Sequence, residues 1–294
     1  MSESKNRAAL ATEASLVLAA TFWGLNFAAT KYAAATISPL ILVALRFTLG
    51  GLVLLLVLRI IEPKSRLRRS DVLPMAALGC FGVATAQTGF TFGLSLSSAG
   101  STGLIFATAP VWGLLLGAVL GLERPTWKGV IGVGLSIVGV ALVVLDGLVS
   151  GDASFVGDLF VLVAALCVGA YAVLSMPLLQ RYTPLAVATY PVLFGIPYLL
   201  ILSSPQLLSL QWGNVGVGPW VAVAYSAVFA TAFAFAAWQR GISRIGANRV
   251  LVYQYLITIV GVTSGIVFFG EMLSVNKIAG GIVILLGVYL ARRQ

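Results

Sequence analysis

The sequence predicts an all-α membrane protein with ten transmembrane helices, built as two inverted five-helix repeats. Three observations lead there: an excess of apolar residues, a succession of apolar runs of bilayer-crossing length, and one glutamate-led segment written twice. Of 294 residues, 60% are hydrophobic and 9% charged, whereas soluble domains carry about 25% charged residues. No soluble fold of this length can hide so much apolar surface, and a bilayer can.

A span needs about 20 mostly apolar residues. The first lies at 14–33. Lys5 and Arg7 precede it and Ala33 to Ala35 follow, as in a signal peptide. The stretch is too long for a signal core, however, and contains Asn26 and Lys31, so it reads as a span. The second covers 37–59. Residues 72–122 carry no charge yet exceed one helix, and "GLSLSSAGS" (Gly93 to Ser101) divides them into spans at 72–92 and 100–122. The fifth and sixth lie at 127–145 and 157–177. Residues 182–239 are also uncharged, and "SSPQLLSLQWGNVGVGP" divides them into 185–203 and 217–238. The last two lie at 247–270 and 276–291. Short loops leave no room for a soluble domain.

The basic residues orient this bundle. With the N-terminus in the cytoplasm, all but Lys31, Lys277 and Arg46 of the 18 lysines and arginines fall on the cytoplasmic side. That is the positive-inside pattern, and it expects both termini to be cytoplasmic in a multi-pass protein of the bacterial inner membrane. The net charge of +9 is spread between apolar runs, so it signals topology and lipid contact, not nucleic acid. Cys80 and Cys167 sit inside apolar runs and read as packing residues. With no histidine in the chain, no metal site, cofactor or catalytic residue is expected.

The duplicated segment sets the domain organisation. Laying Glu271 over Glu123, a shift of 148 residues, places Gly280 on Gly132, Gly287 on Gly139 and Leu290 on Leu142. Upstream, the same shift matches Gly93 with Gly241, Gly113 with Gly261 and Gly117 with Gly265. Residues 1–147 then form the first five-helix repeat and 148–294 the second. An odd number of spans per repeat turns the second copy over. Inverted repeats of this kind are common in secondary transporters, with substrate held between halves that open to alternate sides.

Three stretches resemble repeat hallmarks of the EamA type of the drug/metabolite transporter superfamily: "FWGLNF" at 22–27, "GLERPTWKGVIGVGLSIVGV" at 121–140 and "GEMLSVNKIAGGIVILLGV" at 270–288. The resemblance spans nearly the whole chain and is greatest to the bacterial aromatic amino acid exporters of that family. It implies a ten-helix 5+5 fold and export of amino acids. One departure is that the sixth span has Val168-Gly169 where the first has Trp23-Gly24.

Polar side chains at membrane depth face a cavity or a partner helix. Asn26, Gln87, Tyr171 and Gln254 are such residues, each able to meet substrate or to bond between helices. Gln254 lies within about 20° of Gly261 and Gly265 on its helix. Trp23, Phe90, Trp112, Tyr225 and Trp238 could wall a cavity suited to amino acid side chains; Trp238 equally fits an interfacial anchor. Arg46, the one charge near mid-bilayer, either binds a substrate carboxylate or serves structure, and the absence of a deep acid to pair with it favours structure. Pro110, Pro191 and Pro197 are expected flexing points. Gly113, Gly117, Gly261 and Gly265 are expected packing seams, plausibly between the fourth and ninth spans, and Gly129, Gly132, Gly134 and Gly139 another.

Every acid falls at a span end or in a loop, so the expected substrate is neutral or zwitterionic and moves without proton coupling. The sequence thus predicts a secondary transporter exporting small amphipathic metabolites, amino acids including aromatic ones first, by alternating access. A multidrug or other metabolite exporter, or a channel-like facilitator, is the alternative. An intramembrane enzyme is disfavoured, because no nucleophile is paired with a base. Monomer and weak homodimer stand equal.

Overall fold

A computed structural model describes residues 2–121, 127–150 and 154–292, with backbone alone at 2–8, 150, 248, 291 and 292. Glu123, Arg124, Asp152 and Arg293, and the side chains of Lys5, Arg7 and Arg292, lie outside the described residues. The described chain is helical throughout, without strands. Ten helices follow one another: α1 (Ala9–Ala34), α2 (Pro39–Ile61), α3 (Arg69–Leu96), α4 (Ala99–Val119), α5 (Trp127–Val149), α6 (Phe155–Leu179), α7 (Pro184–Ser209), α8 (Val217–Ile245), α9 (Leu251–Phe269) and α10 (Val275–Leu290). The first nine are 19 to 29 residues long and apolar enough to cross a bilayer; α10 is a shorter apolar helix. Large apolar side chains cover the outside, Val267, Phe81 and Ile60 among them, as lipid contact requires.

Two helices outrun their expected spans. Helix α7 continues past residue 203 because Ser203 and Ser204 bond back to the carbonyls of Leu200 and Ile201. Helix α8 passes the expected end at 238 and stops at Gly246, whose φ of 84° is a conformation glycine adopts without strain. Ser98 caps α4, its hydroxyl accepting the Ser101 amide. This is the break that divides the long uncharged run.

Close contacts made by glycines reveal a pseudo-twofold axis. A Cβ at Gly139 would stand 2.7 Å from the Gly280 carbonyl oxygen, and one at Gly287 would stand 2.6 Å from that of Gly132. These two contacts exchange under the 148-residue shift. The duplicated segments therefore pack on each other, antiparallel, as α5 against α10, with both seam glycines inside the chain. Gly134 has open space around it.

The same relation joins the other helices. Gly24 of α1 abuts the Ile257 carbonyl and Val260 side chain of α9, while Gly169 of α6 abuts the Ala109 carbonyl and Trp112 Cβ of α4. Gly50 of α2 meets the Ala227 carbonyl of α8, while Gly195 of α7 meets the Gly79 carbonyl of α3. Helices α1 and α2 thus correspond to α6 and α7 at a shift of 145, and α3 to α5 correspond to α8 to α10 at 148. Small residues at these crossings let backbones approach where lipid supplies no hydrophobic drive.

Candidate functional site

The pseudo-twofold relation also governs backbone irregularities. In α3, Leu78–Thr85 is π-helical, and in α8 so is Ser226–Phe233; the shift of 148 lays one on the other. A π segment leaves the regular hydrogen-bond ladder and recurs at functional sites. Within the second segment, the Ala230 oxygen accepts Trp23 Nε1 at 2.6 Å and Arg46 Nη2 at 3.4 Å.

Between the halves, next to both π segments, lies a central cavity of about 50 Å³. Its walls come from corresponding positions: Trp23 with Val168, Asn26 with Tyr171, Gln87 with Phe235, Phe90 with Trp238, and Phe106 with Gln254. The axis therefore passes through it. The pairs are chemically unlike, an amide often facing an aromatic ring, so the lining is asymmetric on a symmetric frame. At this volume it holds a few waters, well short of the roughly 300 Å³ at which ligand pockets begin.

Of the residues singled out from sequence, Trp23, Asn26, Gln87, Phe90, Tyr171, Trp238 and Gln254 line this cavity, and so does Arg46. Trp238 is buried, its ring 4.9 Å from that of Trp23. Asn26 is already engaged, donating to Thr30 at 3.1 Å and accepting from Ser226 at 2.6 Å. The Gln254 side-chain nitrogen is buried without a partner. Tyr225 stands behind the wall, its hydroxyl donating to the Phe22 carbonyl at 3.0 Å. Trp112 faces α6, its ring nitrogen donating to Thr108.

Arg46 is 2% exposed. Its Nε donates to Thr231 Oγ1 at 2.9 Å and its guanidinium lies over the Phe47 ring at 5.0 Å. Nη1 is buried with no partner. Four acids are engaged elsewhere: Asp71 with Arg181 and Tyr182, Asp146 with Ser274 and Asn276, Asp158 through one oxygen with Ser97, and Glu271 with Lys31. Lys277, buried, is within electrostatic reach of both Asp146 and Asp158. Beyond the spans, burial and the bond to Asp71 push the Tyr182 phenol above its ordinary value.

The prolines and remaining glycines fall as follows. Pro110 lies in the first turn after a break at Ala107 and Thr108 that divides α4, where its missing N–H costs nothing. Pro191 and Pro197 lie within α7, with Pro205 as a third. Gly113 packs beside Gly169 of α6 and Leu251, Gly261 against the Phe27 ring of α1, and Gly265 against Ala99 of α4. The Gly113–Leu251 and Gly265–Ala99 contacts join α4 and α9. Gly117 is buried within α4.

Sequence reasoning missed Phe106, Val168 and Phe235 as wall residues. The signal was available: applying the repeat shift to Gln254, Trp23 and Gln87 lands on each. It also missed a crevice of about 440 Å³ between α3 and α6, which shares Gly82 and Tyr171 with the cavity and reaches Asp71 and Arg181 at the end expected to be cytoplasmic.

Comparison with known proteins agrees with this architecture. The EamA-like transporter family model matches residues 11–145 and again 155–293. An uncharacterized transporter of Archaeoglobus fulgidus is 26% identical over 95% of this chain and 98% of its own. A probable terminal-alkyne amino-acid exporter of Streptantibioticus cattleyicolor is 31% identical over 77% and 75%. A protein crystal structure at 21% identity superposes with a TM-score of 0.66 over 94% of each chain, showing the same fold.

Proposed function

The chain belongs to the EamA-like transporter family, and from that premise we propose that it is a secondary transporter exporting small amphipathic metabolites, amino acids and aromatic ones first, by alternating access. One observation carries this reading. The cavity lies on the axis relating the halves and is walled by corresponding residues of both, so exchanging the two halves' conformations would present the same walls to the opposite side. A multi-pass membrane protein of this design binds at the repeat interface. The residues 1–147 and 148–294 are then the two moving bodies, and the basic residues at one set of helix ends support cytoplasmic termini in a bacterial inner membrane.

The rings of Trp23, Phe90 and Trp238 suit an aromatic or aliphatic side chain, and the Gln87 and Gln254 amides suit a polar group. No carboxylate lines the cavity, so nothing there trades a proton for a cation. The relative named as an amino-acid exporter supports the substrate class.

Purified protein in liposomes is expected to take up labelled phenylalanine by exchange against internal phenylalanine, without an imposed pH gradient. Uptake that depends on a proton gradient would overturn the uncoupled mechanism. No exchange of any neutral amino acid would overturn the substrate class, and flux that fails to saturate would replace the carrier with a channel.

A further inference from the structure

We propose that the central cavity recognises a carboxylate group and that Arg46 Nη1 is its binding atom. The inference rests on the transporter reading and narrows its substrate class. Buried polar groups are normally satisfied, and each exception calls for an explanation. Three residues lining this cavity carry a buried polar atom without a partner: Arg46 Nη1, Gln254 Nε2 and the Tyr171 hydroxyl. The two nitrogens belong to side chains at most 2% exposed. Both nitrogens are donors and the hydroxyl can donate, so the missing partner is an acceptor. One donor carries full charge, so that acceptor is best an anion.

Among the described residues no acid lines the cavity, so none supplies that anion there. The guanidinium is already held in place. Thr231 takes Nε, the Ala230 carbonyl takes Nη2, and the Phe47 ring supports its face. Such a fork, fixed on one side and free on the other, binds a carboxylate by charge-assisted hydrogen bonding. That carbonyl belongs to the π-helical stretch of α8.

The repeat relation strengthens the assignment. The position corresponding to Arg46 in the second half is Pro191, whose carbonyl lies against Gly79 of α3. The cavity therefore has one charged pole, which fixes one orientation for a ligand with one carboxylate. Trp23 and Trp238 add an aromatic wall beside it. The class is α-amino acids and simple monocarboxylates with an apolar side chain. The corresponding amines lack the recognised group.

The test compares phenylalanine, 3-phenylpropionate and phenethylamine as competitors of phenylalanine exchange in liposomes, and as quenchers of tryptophan fluorescence in detergent. The two acids are expected to compete and to quench, with phenethylamine weaker by about tenfold or more. Arg46→Gln is expected to raise half-saturation for phenylalanine by about tenfold and to abolish the preference for the acids. Arg46→Lys keeps the charge without the fork and falls between. Thr231→Val, which removes only the anchor on Nε, is expected to weaken the acids with the fold intact. Phenethylamine matching phenylpropionate in wild type, or Arg46→Gln keeping the preference, would overturn the inference. If Arg46→Gln does not fold, the wild-type ligand series and Thr231→Val decide. Absence of all exchange with selective quenching by phenylpropionate would sink the transport reading and leave the carboxylate site standing; absence of both sinks the two together.

Discussion

Lys31, near the end of α1, forms an ion pair with Glu271 in the turn between α9 and α10. The same carboxylate accepts the backbone amides of Ala99 at 3.1 Å and Gly100 at 3.2 Å, at the start of α4. One acid thus ties three elements of both halves together at one end of the bundle. A carboxylate over a helix N-terminus is favourable there on dipole grounds as well. The opposite end carries the crevice between α3 and α6.

Breaking that tie should loosen this end. In a background of Cys80→Ser and Cys167→Ser, a Thr258→Cys probe sits buried one turn from Gln254 toward Glu271. Adding Glu271→Gln removes a charge-assisted bond worth about 1.5–3 kcal/mol, so labelling by a membrane-impermeant maleimide from that side should speed up about 10- to 100-fold. An unchanged rate would show that the ion pair does not hold the end shut.

The seam between α5 and α10 should tolerate no added bulk. Gly139→Val would drive its side chain into the Gly280 carbonyl and Ile284, at a cost of about 1–3 kcal/mol. Gly134→Ala meets open space and is expected to be neutral. Thermal unfolding of the two variants in detergent checks the contrast; equal midpoints would remove the seam as a structural element.

The π segments are expected to be the flexing points, ahead of the prolines. Their hydrogen bonds depart from the regular ladder in both halves, at Leu78–Thr85 and Ser226–Phe233. Hydrogen–deuterium exchange should show lower protection there than in flanking turns, and similar values in the two halves. Faster exchange around Pro191 and Pro197 instead would move the hinge into α7.

Alkaline pH should act through Tyr182. Its phenol donates to Asp71 at 2.7 Å and accepts the Arg68 amide at 3.1 Å, and its pKa is raised by burial and by Asp71. A raised native value means the folded state holds this proton more tightly than the unfolded chain. The resulting stability is fully present below about pH 10 and is lost as the pH rises through the native value. Tyr182→Phe should lower the midpoint by a few degrees at pH 8, and it should flatten this part of the decline above pH 10. An identical alkaline profile in the variant would show that Tyr182 does not carry the effect.

The spans were legible because apolar length is written along the chain. Where ends were misjudged, the cause was local. Ending the eighth span at the first charge ignored that Arg240 sits in a helix continuing to Gly246. Serines in α7 looked like a break but bonded to their own turns. The cavity was half legible. Gln87 and Gln254 stood out as polar, while their aromatic counterparts Phe235 and Phe106 did not, because a phenylalanine in an apolar run carries no signal of its own. Gly113 and Gly261 share a motif across the repeats, yet one packs on α6 and the other on α1, since the twofold sends equivalent surfaces to different helices.

The sequence by itself determined the membrane setting, the ten helices and the duplication, because hydropathy and repeat spacing are properties of the chain read in order. Only the tertiary structure decided which polar atoms are satisfied. Arg46 and Thr231 are 185 residues apart in sequence and 2.9 Å apart in space. Whether a buried donor finds its partner depends on how helices are rotated and how closely they approach. Glycine contacts and two π turns set that rotation, and no one-dimensional pattern reports it.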